Sequence, residues 1–391
     1  MSTQRFKATL ALASILAILS PAGVIAAPQD STGNGGETAR QNQTLEVPTQ
    51  FATIQAAINA SLPGGTVKIL PGVYTEQITI NKNLRLIGAG VDKTSIRAPS
   101  TLAPGSFGDR VIVDINKGAT VAMSDLTVTG PGSGTCGLGS LSAGVFVVEG
   151  ATLDLYSAAV THIHDTPAAA CFPFGVGIRV GAILGPVLGS AGHATIHDVN
   201  ISDYQTDGIA VLSHGSTATI SDNTISGQGH TSGFNTNGVA IFRAIATVTN
   251  NIVSGNYCTL PAGCGPDLIN DTQSTGISPG PGADPGTVIA HNEVTNNDVG
   301  IYVAGVGCCH IARNRISDNK LFGLVIQDGS NTASNDSISG GMIGIGVLAT
   351  TVDTVATLRN ERISGTTSAP IQAISSGGFK ATAVVINPPG L

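Results

Sequence analysis

The chain has 391 residues, of which 11% are charged and 41% hydrophobic, and this composition excludes a disordered or collagen-like protein. Fifty-one glycines and 19 prolines favour a β protein rich in turns. A net charge of −7 and a pI near 5.5 give no reason to expect nucleic acid or an anionic membrane as a partner.

Residues 1–26 have the features of a secretory signal peptide. Arg5 and Lys7 precede an apolar run over residues 8–19, and small residues follow around Ala26. The apolar run is too short to span a bilayer comfortably, and an uncleaved anchor is the alternative interpretation. Residues 27–46 are polar and glycine-rich, which predicts a flexible leader. We expect a mature chain with no membrane span that is secreted, periplasmic or at the cell surface.

The segment FATIQAAINASLPGGTVKILPGVYTE, residues 51–76, changes its hydrophobic period half-way along. Its first half has apolar residues at helical spacing, and its second half alternates as a strand does. The pattern predicts an amphipathic helix across the open end of the first coil of a solenoid, where it covers an exposed core and an unpaired strand edge. The helix residues expected to face the core are Ile54, Ile58 and Leu62.

A repeat with a period in the twenties fills the chain from about Val67 onward. The glycine that opens a G-I-x-V strand falls at 208, 238, 300, 323 and 344, and the wide gap predicts one more copy around Gly276. Such a period predicts a β-solenoid of roughly ten coils, which we place at residues 47–391. Three aliphatic columns are expected to stack inside it: Ile196, Ile220, Val248, Ile289 and Ile311; Ile201, Ile225, Val253, Val294 and Ile316; Ile209, Val239, Ile277, Ile301 and Leu324.

Asparagines recur at one corner of the repeat, and Asp336 continues their series. Asparagine tolerates the left-handed backbone of a tight turn and can hydrogen-bond to the turns next to it. We therefore predict a structural ladder there, formed by Asn223, Asn251, Asn292 and Asn314.

Six cysteines fit an oxidising destination: Cys136, Cys171, Cys258, Cys264, Cys308 and Cys309. Cys258 and Cys264 enclose one short Pro/Gly-rich loop, where a disulfide would act as a staple. Six cysteines allow about 15 pairings, so the full connectivity stays open. A zinc site is the alternative, although no Cys/His set with the usual spacing is present.

The run FATIQAAINASLPGGTVKILPGVYTEQITINKNLRLIGAG resembles the opening segment of the pectin-lyase-like right-handed parallel β-helix proteins. It is especially similar to the start of pectin methylesterases, and the later repeats resemble those of NosD-like secreted proteins, polysaccharide lyases and alginate epimerases. The resemblance implies an all-β, single-stranded right-handed parallel β-helix. The paired-aspartate strings of the methylesterases and the Asp-Pro-His signature of the epimerases are absent from the sequence. Because this fold hosts many functions, the activity has to be argued from the site.

In pectate lyases the cleft lies on the outer face of one sheet, which by analogy is the sheet of G-I-x-V strands here. Strand alternation places the x residue of each copy on the outside. Most of these positions are small or apolar, and the exceptions are Arg179 and Tyr302. The full set is Phe146, Arg179, Ala210, Ala240, Ser278, Tyr302, Val325 and Gly346.

A patch of histidines and carboxylates is expected to converge near these strands. Matching positions in successive coils lie about 5 Å apart, so THIHD, SDYQTDG and GQGHTSG come together in adjacent coils. This chemistry suits β-elimination on a uronate: a carboxylate cluster holds Ca²⁺, and an arginine or histidine takes the C5 proton. The candidate catalytic residues are His162, His164, Arg179 and Asp207. The candidate metal ligands are Asp165, Asp203 and Asp207, and the candidate substrate-binding residues are Tyr204, His230, Arg243 and Tyr302.

Three functions remain open from the sequence. The first is an exported β-helix that binds or processes polysaccharide or cell-wall glycan, as a lyase or hydrolase of acidic glycans such as pectin or alginate. The second is a non-catalytic adhesin, spacer or assembly module, which the absence of Trp and the small outward residues favour. The third is a metal-handling accessory protein, based on His162 and His164, which share one face of a strand. The oligomeric state is not predicted.

Overall fold

The computed structural model describes residues 43–132, 139–165, 175–184, 189–228, 235–258, 264–271, 273–305 and 307–387. The helices are α1 (Ile54–Ala60) and a 3₁₀ turn, Ser106–Gly108. The strands of the first half are β1 (Thr44–Val47), β2 (Gly65–Ile69), β3 (Gly72–Thr75), β4 (Ile78–Ile80), β5 (Leu84–Ile87), β6 (Thr94–Arg97), β7 (Val111–Ile115), β8 (Thr120–Ser124), β9 (Thr127–Thr129), β10 (Ala143–Val147), β11 (Thr152–Ile163), β12 (Val176–Val180), β13 (Ala182–Ile183), β14 (Gly189–Ser190), β15 (His193–Tyr204), β16 (Asp207–Leu212), β17 (Thr217–Ser221) and β18 (Thr224–Ser226).

The strands of the second half are β19 (Asn237–Phe242), β20 (Ile245–Thr249), β21 (Ile252–Ser254), β22 (Thr275–Pro279), β23 (Thr287–Ala290), β24 (Glu293–Thr295), β25 (Val299–Ala304), β26 (Cys309–Ala312), β27 (Arg315–Ser317), β28 (Phe322–Gln327), β29 (Ser330–Ser334), β30 (Ser337–Ser339), β31 (Ile343–Ala349), β32 (Thr354–Arg359), β33 (Arg362–Ser364), β34 (Ala369–Ser375) and β35 (Ala381–Ile386). Strand β1 begins at Thr44, within the segment interpreted as a leader.

The chain winds into a parallel β-helix whose successive coils stack strand on strand, so that three parallel sheets run along its length. Sheet A is the series β1–β2–β5–β8–β11–β15–β17–β20–β23–β26–β29–β32–β35, and sheet B is β3–β6–β9–β11–β15–β18–β21–β24–β27–β30–β33. The 12-residue strands β11 and β15 belong to both. Sheet C has 11 strands, β4–β7–β10–β12–β16–β19–β22–β25–β28–β31–β34, against the roughly ten coils predicted.

The three predicted aliphatic columns are confirmed by the strand register. Ile220 pairs with Ile196 and Val248, Ile225 pairs with Ile201 and Val253, and every column member is fully buried. Gly276 opens the extra G-I-x-V copy in β22, as predicted. These glycines are needed for space: a Cβ on Gly300 would lie 2.5 Å from the carbonyl oxygen of Gly323 and 2.6 Å from Ile316 Cγ2. The continuous aliphatic stack supplies the main driving force for folding.

Two asparagine ladders line the interior corners. In the predicted one, between sheets A and B, Nδ2 of Asn251 donates to Oδ1 of Asn292 at 3.0 Å, and Asn292 repeats this bond to Asn314. Nδ2 of Asn314 donates to Asp336 Oδ1 at 2.9 Å, so the carboxylate continues the ladder as expected. Every rung is buried, and the side chains satisfy backbone groups that water cannot reach.

The second ladder was not predicted and lies between sheets B and C. Asn256 donates to Asn297 at 2.9 Å and Asn297 to Asn319 at 3.0 Å. The hydroxyl of Tyr204 donates to Asn256 Oδ1 at 2.7 Å and closes the ladder at its N-terminal end.

Helix α1 covers the N-terminal coil, with Ile54 and Ile58 buried as predicted. Thr53 caps it by accepting from the N–H of Ala56, and the carboxylate of Glu76 accepts from the N–H groups of Ile54 and Gln55. A carboxylate there also complements the positive end of the helix. The prediction for Leu62 was wrong: the helix ends at Ala60, and Leu62 is 42% exposed.

Cys258 and Cys264 are joined by a disulfide, as expected for that loop, with their Cα atoms 6.0 Å apart. Cys308 and Cys309, adjacent in sequence, also pair, which the sequence did not predict. Cys136 and Cys171 lie outside the described residues. In the part of the chain that the structure describes, none of the helices has the length and apolar character needed to cross a lipid bilayer.

Candidate functional site

The outer face of sheet C changes character along the axis of the solenoid. The predicted outward column is confirmed, since Phe146 pairs with Arg179, Arg179 with Ala210, and Tyr302 with Val325. Near β10–β16 the outer residues form an apolar cluster that includes Val111, Phe146 and Val176. Around β28 and β31 they form a second one with Phe322 and Val325. The polar stretch between these clusters, on β19, β22 and β25, is where a cleft opens.

The cleft has a volume of about 320 Å³ and lies over three adjacent strands of sheet C. Thr275 and Ser278 of β22 form its floor, and the rings of Phe242 and Tyr302 belong to its walls. Its lining is completed by Asn235, Asp271, Gln273, Gly280, Pro281 and Ala304. Small residues on β22 leave room between larger neighbours, and this difference in side-chain size creates the cavity.

Tyr302 is held in place by a relay of hydrogen bonds. Its hydroxyl donates to Gln327 Oε1 at 2.5 Å, and Gln327 Nε2 donates to Asp328 Oδ2 at 3.1 Å. Thr350 donates to Asp328 from both its backbone N–H and its hydroxyl. Burial opposes ionisation of Asp328, but the hydrogen bonds from Thr350 and Thr351 outweigh it and lower the pKa of Asp328 to about 2. Burial, and then the charge of Asp328, raise the pKa of Tyr302, which therefore remains a neutral donor.

The opposite wall depends on the fit between Phe242 and Gly280. A Cβ on Gly280 would lie 2.2 Å from Phe242 Cε1, so only glycine allows the ring to rest against β22. The ring is half-buried and lines the cleft. The position of Phe242 thus depends on the absence of a side chain at Gly280, the residue that follows β22.

The loop before β22 supplies the polar rim. Asp271 Oδ2 accepts from the N–H of Asp267 at 3.1 Å, and the N–H of Asp271 donates back to the carbonyl of Asp267 at 2.9 Å. Gln273 Nε2 donates to the carbonyls of Gly265 and Asp267, both at 3.0 Å. These bonds fix the carboxylate of Asp271 at the cleft.

Three of the predicted site residues meet at a corner away from this cleft. The Nε2 atoms of His162 and His164 each lie 3.4 Å from Asp203 Oδ2. His162 and Asp203 occupy matching corner positions with φ of 56° and 55°, and the side chain of His162 is 57% exposed. Gln228 donates to the other oxygen of Asp203. When the imidazoles are protonated this is a surface ion-pair cluster.

Arg179 does not join that cluster. Its guanidinium forms an ion pair with Asp109 and lies 3.9 Å from the centre of the Phe146 ring. The side chain of Arg179 is 7% exposed. The expectation that Arg179 removes a substrate proton is not supported, because the group is buried and neutralised within the outer apolar cluster.

Two further predicted residues are structural. Tyr204 was expected to bind substrate, but its ring is fully buried in the core and its hydroxyl closes the second asparagine ladder. Asp207 is buried at the start of β16 and accepts from Asn237 Nδ2 at 2.8 Å. Burial raises the pKa of Asp207 to about 6, although hydrogen bonds from Asn237 and Thr206 oppose the shift.

The predicted calcium ligands do not assemble. Among the residues that the structure describes, no three His, Cys, Asp or Glu side chains form a group able to hold a metal ion. Asp165 instead accepts from the N–H of Leu141 at 3.0 Å, Asp203 faces the histidines, and Asp207 faces Asn237. Asp165, Asp203 and Asp207 therefore do not share one site, and calcium binding stays a prediction.

Of the remaining substrate-binding candidates, Arg243 lies at a turn with a φ of 54° and packs beside Gly282. His230 is outside the described residues. Among the candidates that the structure describes, Tyr302 alone lines the cleft. Phe242, Asp271 and Gln273 were missed. Phe242 had a signal in the sequence, since it follows G-V-A-I at the next outward position of its strand, whereas Asp271 and Gln273 lie in a loop without periodicity.

Comparison with known families agrees with the fold. The family described as "Right handed beta helix region" matches residues 185–383, more than half of the chain. The chain therefore belongs to the right-handed β-helix family. A search of curated proteins found no match.

Solved structures with the same fold include the lacto-N-biosidase from Eubacterium ramulus, with a TM-score of 0.53 and 13% identity over 82% of this chain and 64% of that one. The A-module of a mannuronan C-5 epimerase from Azotobacter vinelandii has a TM-score of 0.47 and 17% identity, covering 86% of this chain and 94% of that one. An alginate lyase from Paenibacillus sp. has a TM-score of 0.41 and 12% identity, covering 87% of this chain and 99% of that one. At these identities the similarity concerns the fold alone.

Proposed function

We propose that this protein binds polysaccharide in the cleft on the outer face of sheet C. The observation that carries the proposal is the pairing of two aromatic walls, Phe242 and Tyr302, with a floor of Thr275 and Ser278. Sugar rings present apolar C–H faces and a rim of hydroxyl groups, so an aromatic face with nearby hydroxyls and amides complements them. The lacto-N-biosidase of the same fold acts on a glycan, which is compatible with this role.

The relay behind Tyr302 supports a binding role because it fixes the ring before any ligand arrives. Gln327, Asp328 and Thr350 hold the hydroxyl through three successive hydrogen-bonded side chains. A ring that is already ordered loses little conformational freedom when a sugar stacks on it. The cleft is therefore pre-organised for its ligand.

We assign no bond-breaking step to the cleft. Glycosidases generally use two carboxyl groups across the scissile bond. Of the described residues that line this cleft, Asp271 alone carries a carboxylate. Lyase or hydrolase activity on an acidic glycan remains a prediction from the resemblance. Export also remains a proposal: it rests on residues 1–26, and N-terminal sequencing of protein from culture medium or periplasm tests it.

The test is binding of a panel of purified oligosaccharides to the full mature protein, measured by titration calorimetry. Tyr302→Ala removes one wall and is expected to lower affinity for the best ligand at least about tenfold, or about 1.4 kcal/mol. Tyr156→Ala is the matched control, because this tyrosine stacks on His197 on sheet A, 5.4 Å away, and does not line the cleft. Equal affinity of both variants and the parent protein would refute the assignment of the cleft. If no glycan binds, the non-catalytic adhesin or spacer becomes the better account.

A further inference from the structure

We infer that the cleft selects an uncharged glycan and discriminates against polyuronates, which reverses the expectation of an acidic substrate. This inference rests on the proposed function and names its ligand class. Its basis is the sign of the charges fixed at the cleft, together with the two aromatic walls.

Two carboxylates are fixed on the loop at the rim. Asp271 lines the cleft, and Asp267 is tied to it through paired backbone and side-chain hydrogen bonds. Asp267 also accepts from the N–H groups of Ile269 and Asn270 and from the Asn270 side chain, at 2.9, 3.2 and 2.7 Å. Those hydrogen bonds lower the pKa of Asp267, so it is ionised at neutral pH. The loop therefore presents fixed negative charge to whatever enters.

A third carboxylate lies behind the aromatic wall. Asp328 is linked to the Tyr302 hydroxyl through Gln327, and it accepts from Thr350 N and Thr351 N at 2.7 and 3.0 Å. Its half-buried position weakens the screening of its field by water. Asp328 acts on the ligand through the same wall that stacks on the sugar.

Positive charge does not balance these groups within the described lining, which contains no lysine, arginine or histidine. Arg243 is the cation nearest in sequence to Phe242, and it lies on a turn against Gly282. It is therefore the residue to test as a rival anchor for a carboxylate.

The consequence follows from like-charge repulsion. A uronate placed on Tyr302 would bring one carboxylate per sugar into a partly dehydrated site that already holds negative charge. A neutral hexose would offer the same ring faces and hydroxyls without that repulsion. The two ligands share their stacking energy and differ in their electrostatic energy.

The experiment compares a neutral oligosaccharide that binds with the same oligosaccharide oxidised at C6 to its uronate, so that linkage and length are held constant. Calorimetry on the full mature protein is carried out at 20 and 300 mM salt, with chelator and separately with calcium. We expect the oxidised ligand to bind at least about tenfold more weakly than the neutral one at low salt. This difference in affinity should become smaller at high salt. Asp271→Asn is expected to reduce the ratio of the two affinities at low salt, because it removes a negative charge from the rim and keeps a side chain of the same size.

Two results would overturn the inference while leaving glycan binding intact. One is equal or tighter binding of the oxidised ligand, with or without calcium. The other is an affinity for the oxidised ligand that is lower in Arg243→Gln than in the parent protein and is not higher in Asp271→Asn. If neither ligand binds, or if Tyr302→Ala leaves both affinities unchanged, the proposed cleft itself fails, and the inference falls with it.

Discussion

At the corner between sheets A and B, asparagine follows asparagine from one coil to the next, whereas the outer face of sheet C changes residue at nearly every coil. At the corner each side chain bonds to its own counterpart, as Asn251 does to Asn292 at 3.0 Å. On sheet C, Ala240, Ser278 and Tyr302 follow one another in the same column. Repetition at a position therefore indicates a role in stacking, and a break in repetition indicates a role outside the stack.

The largest expected effect is at the centre of the repeating region. Asn292→Ala removes a side chain that donates to Val248 O, Ala290 O and Asn314 Oδ1, and accepts from Asn251. Since buried polar groups lose their partners, we expect the free energy of unfolding to fall by about 3 kcal/mol or more. Denaturant unfolding measures it.

Asn59→Ala is the control for this change, because Asn59 is an exposed asparagine on helix α1. It should lower stability by less than about 1 kcal/mol. Similar losses for the two variants would show that the ladder is not a special source of stability.

A smaller effect on stability, which depends on pH, is expected where the ladder changes from amide to carboxyl side chains. Glu361 occupies the next rung beyond Asp336, and both of its carboxyl oxygens are buried without a hydrogen-bond partner among the described residues. Burial, and then the charge of Asp336, raise the pKa of Glu361 to about 8. Burial likewise raises the pKa of Asp336 to about 6, against hydrogen bonds from Asn314.

The sign of the pH dependence follows from these shifts. Because the folded state binds protons more tightly than the unfolded chain, stability is fully present below about pH 4.5 and is lost as the pH rises to about 8. Glu361→Gln places an uncharged side chain there at every pH. It is expected to reduce the fall in the free energy of unfolding between pH 5 and 8 by on the order of 1–2 kcal/mol. Asn59→Ala, which removes no titratable group, should leave the pH dependence of stability unchanged. A parent protein whose stability rises over this range would contradict the account.

A selective effect on glycan binding is expected at Gly280. Gly280→Ala places a Cβ 2.2 Å from the present position of Phe242 Cε1, so the ring must turn into the cleft. We expect a several-fold loss of glycan affinity with a stability loss of about 1–3 kcal/mol, since the ring can move toward open space. Gly118→Ala, at a turn with nothing within 4 Å of the added atom, is the control for affinity. Unchanged glycan affinity in Gly280→Ala would separate Phe242 from the binding site.

The sequence was sufficient to predict the structural features that repeat from coil to coil. The three columns, the Gly276 copy and the Asn223 ladder follow from period alone, because stacking forces like residues into register. The helix was predicted, but Leu62 was wrong because the seven-residue helix ends before it. The pairing of Cys308 with Cys309 and the ladder at Asn256 were missed. The second ladder has the same spacings as the first, 41 and 22 residues, so its period was present in the sequence.

The candidate site was less accessible to sequence reasoning. His162, His164 and Asp203 do meet, since neighbouring corners carry them. Their chemistry suggested a catalytic site, and the structure shows two imidazoles facing one carboxylate at a corner away from the cleft. Arg179 pairs instead with Asp109, which lies 70 residues away in sequence. Asp271 and Gln273 enter the cleft from a loop whose path no period specifies. Contacts made by insertions need the folded structure.

The most direct test of the central claim is a crystal structure of the protein with the tightest-binding oligosaccharide from the panel. The account predicts a sugar ring against Tyr302, with hydroxyl groups in hydrogen-bond range of Thr275 or Ser278. A sugar bound instead at the corner of His162, His164 and Asp203, with the cleft on sheet C empty, would contradict it.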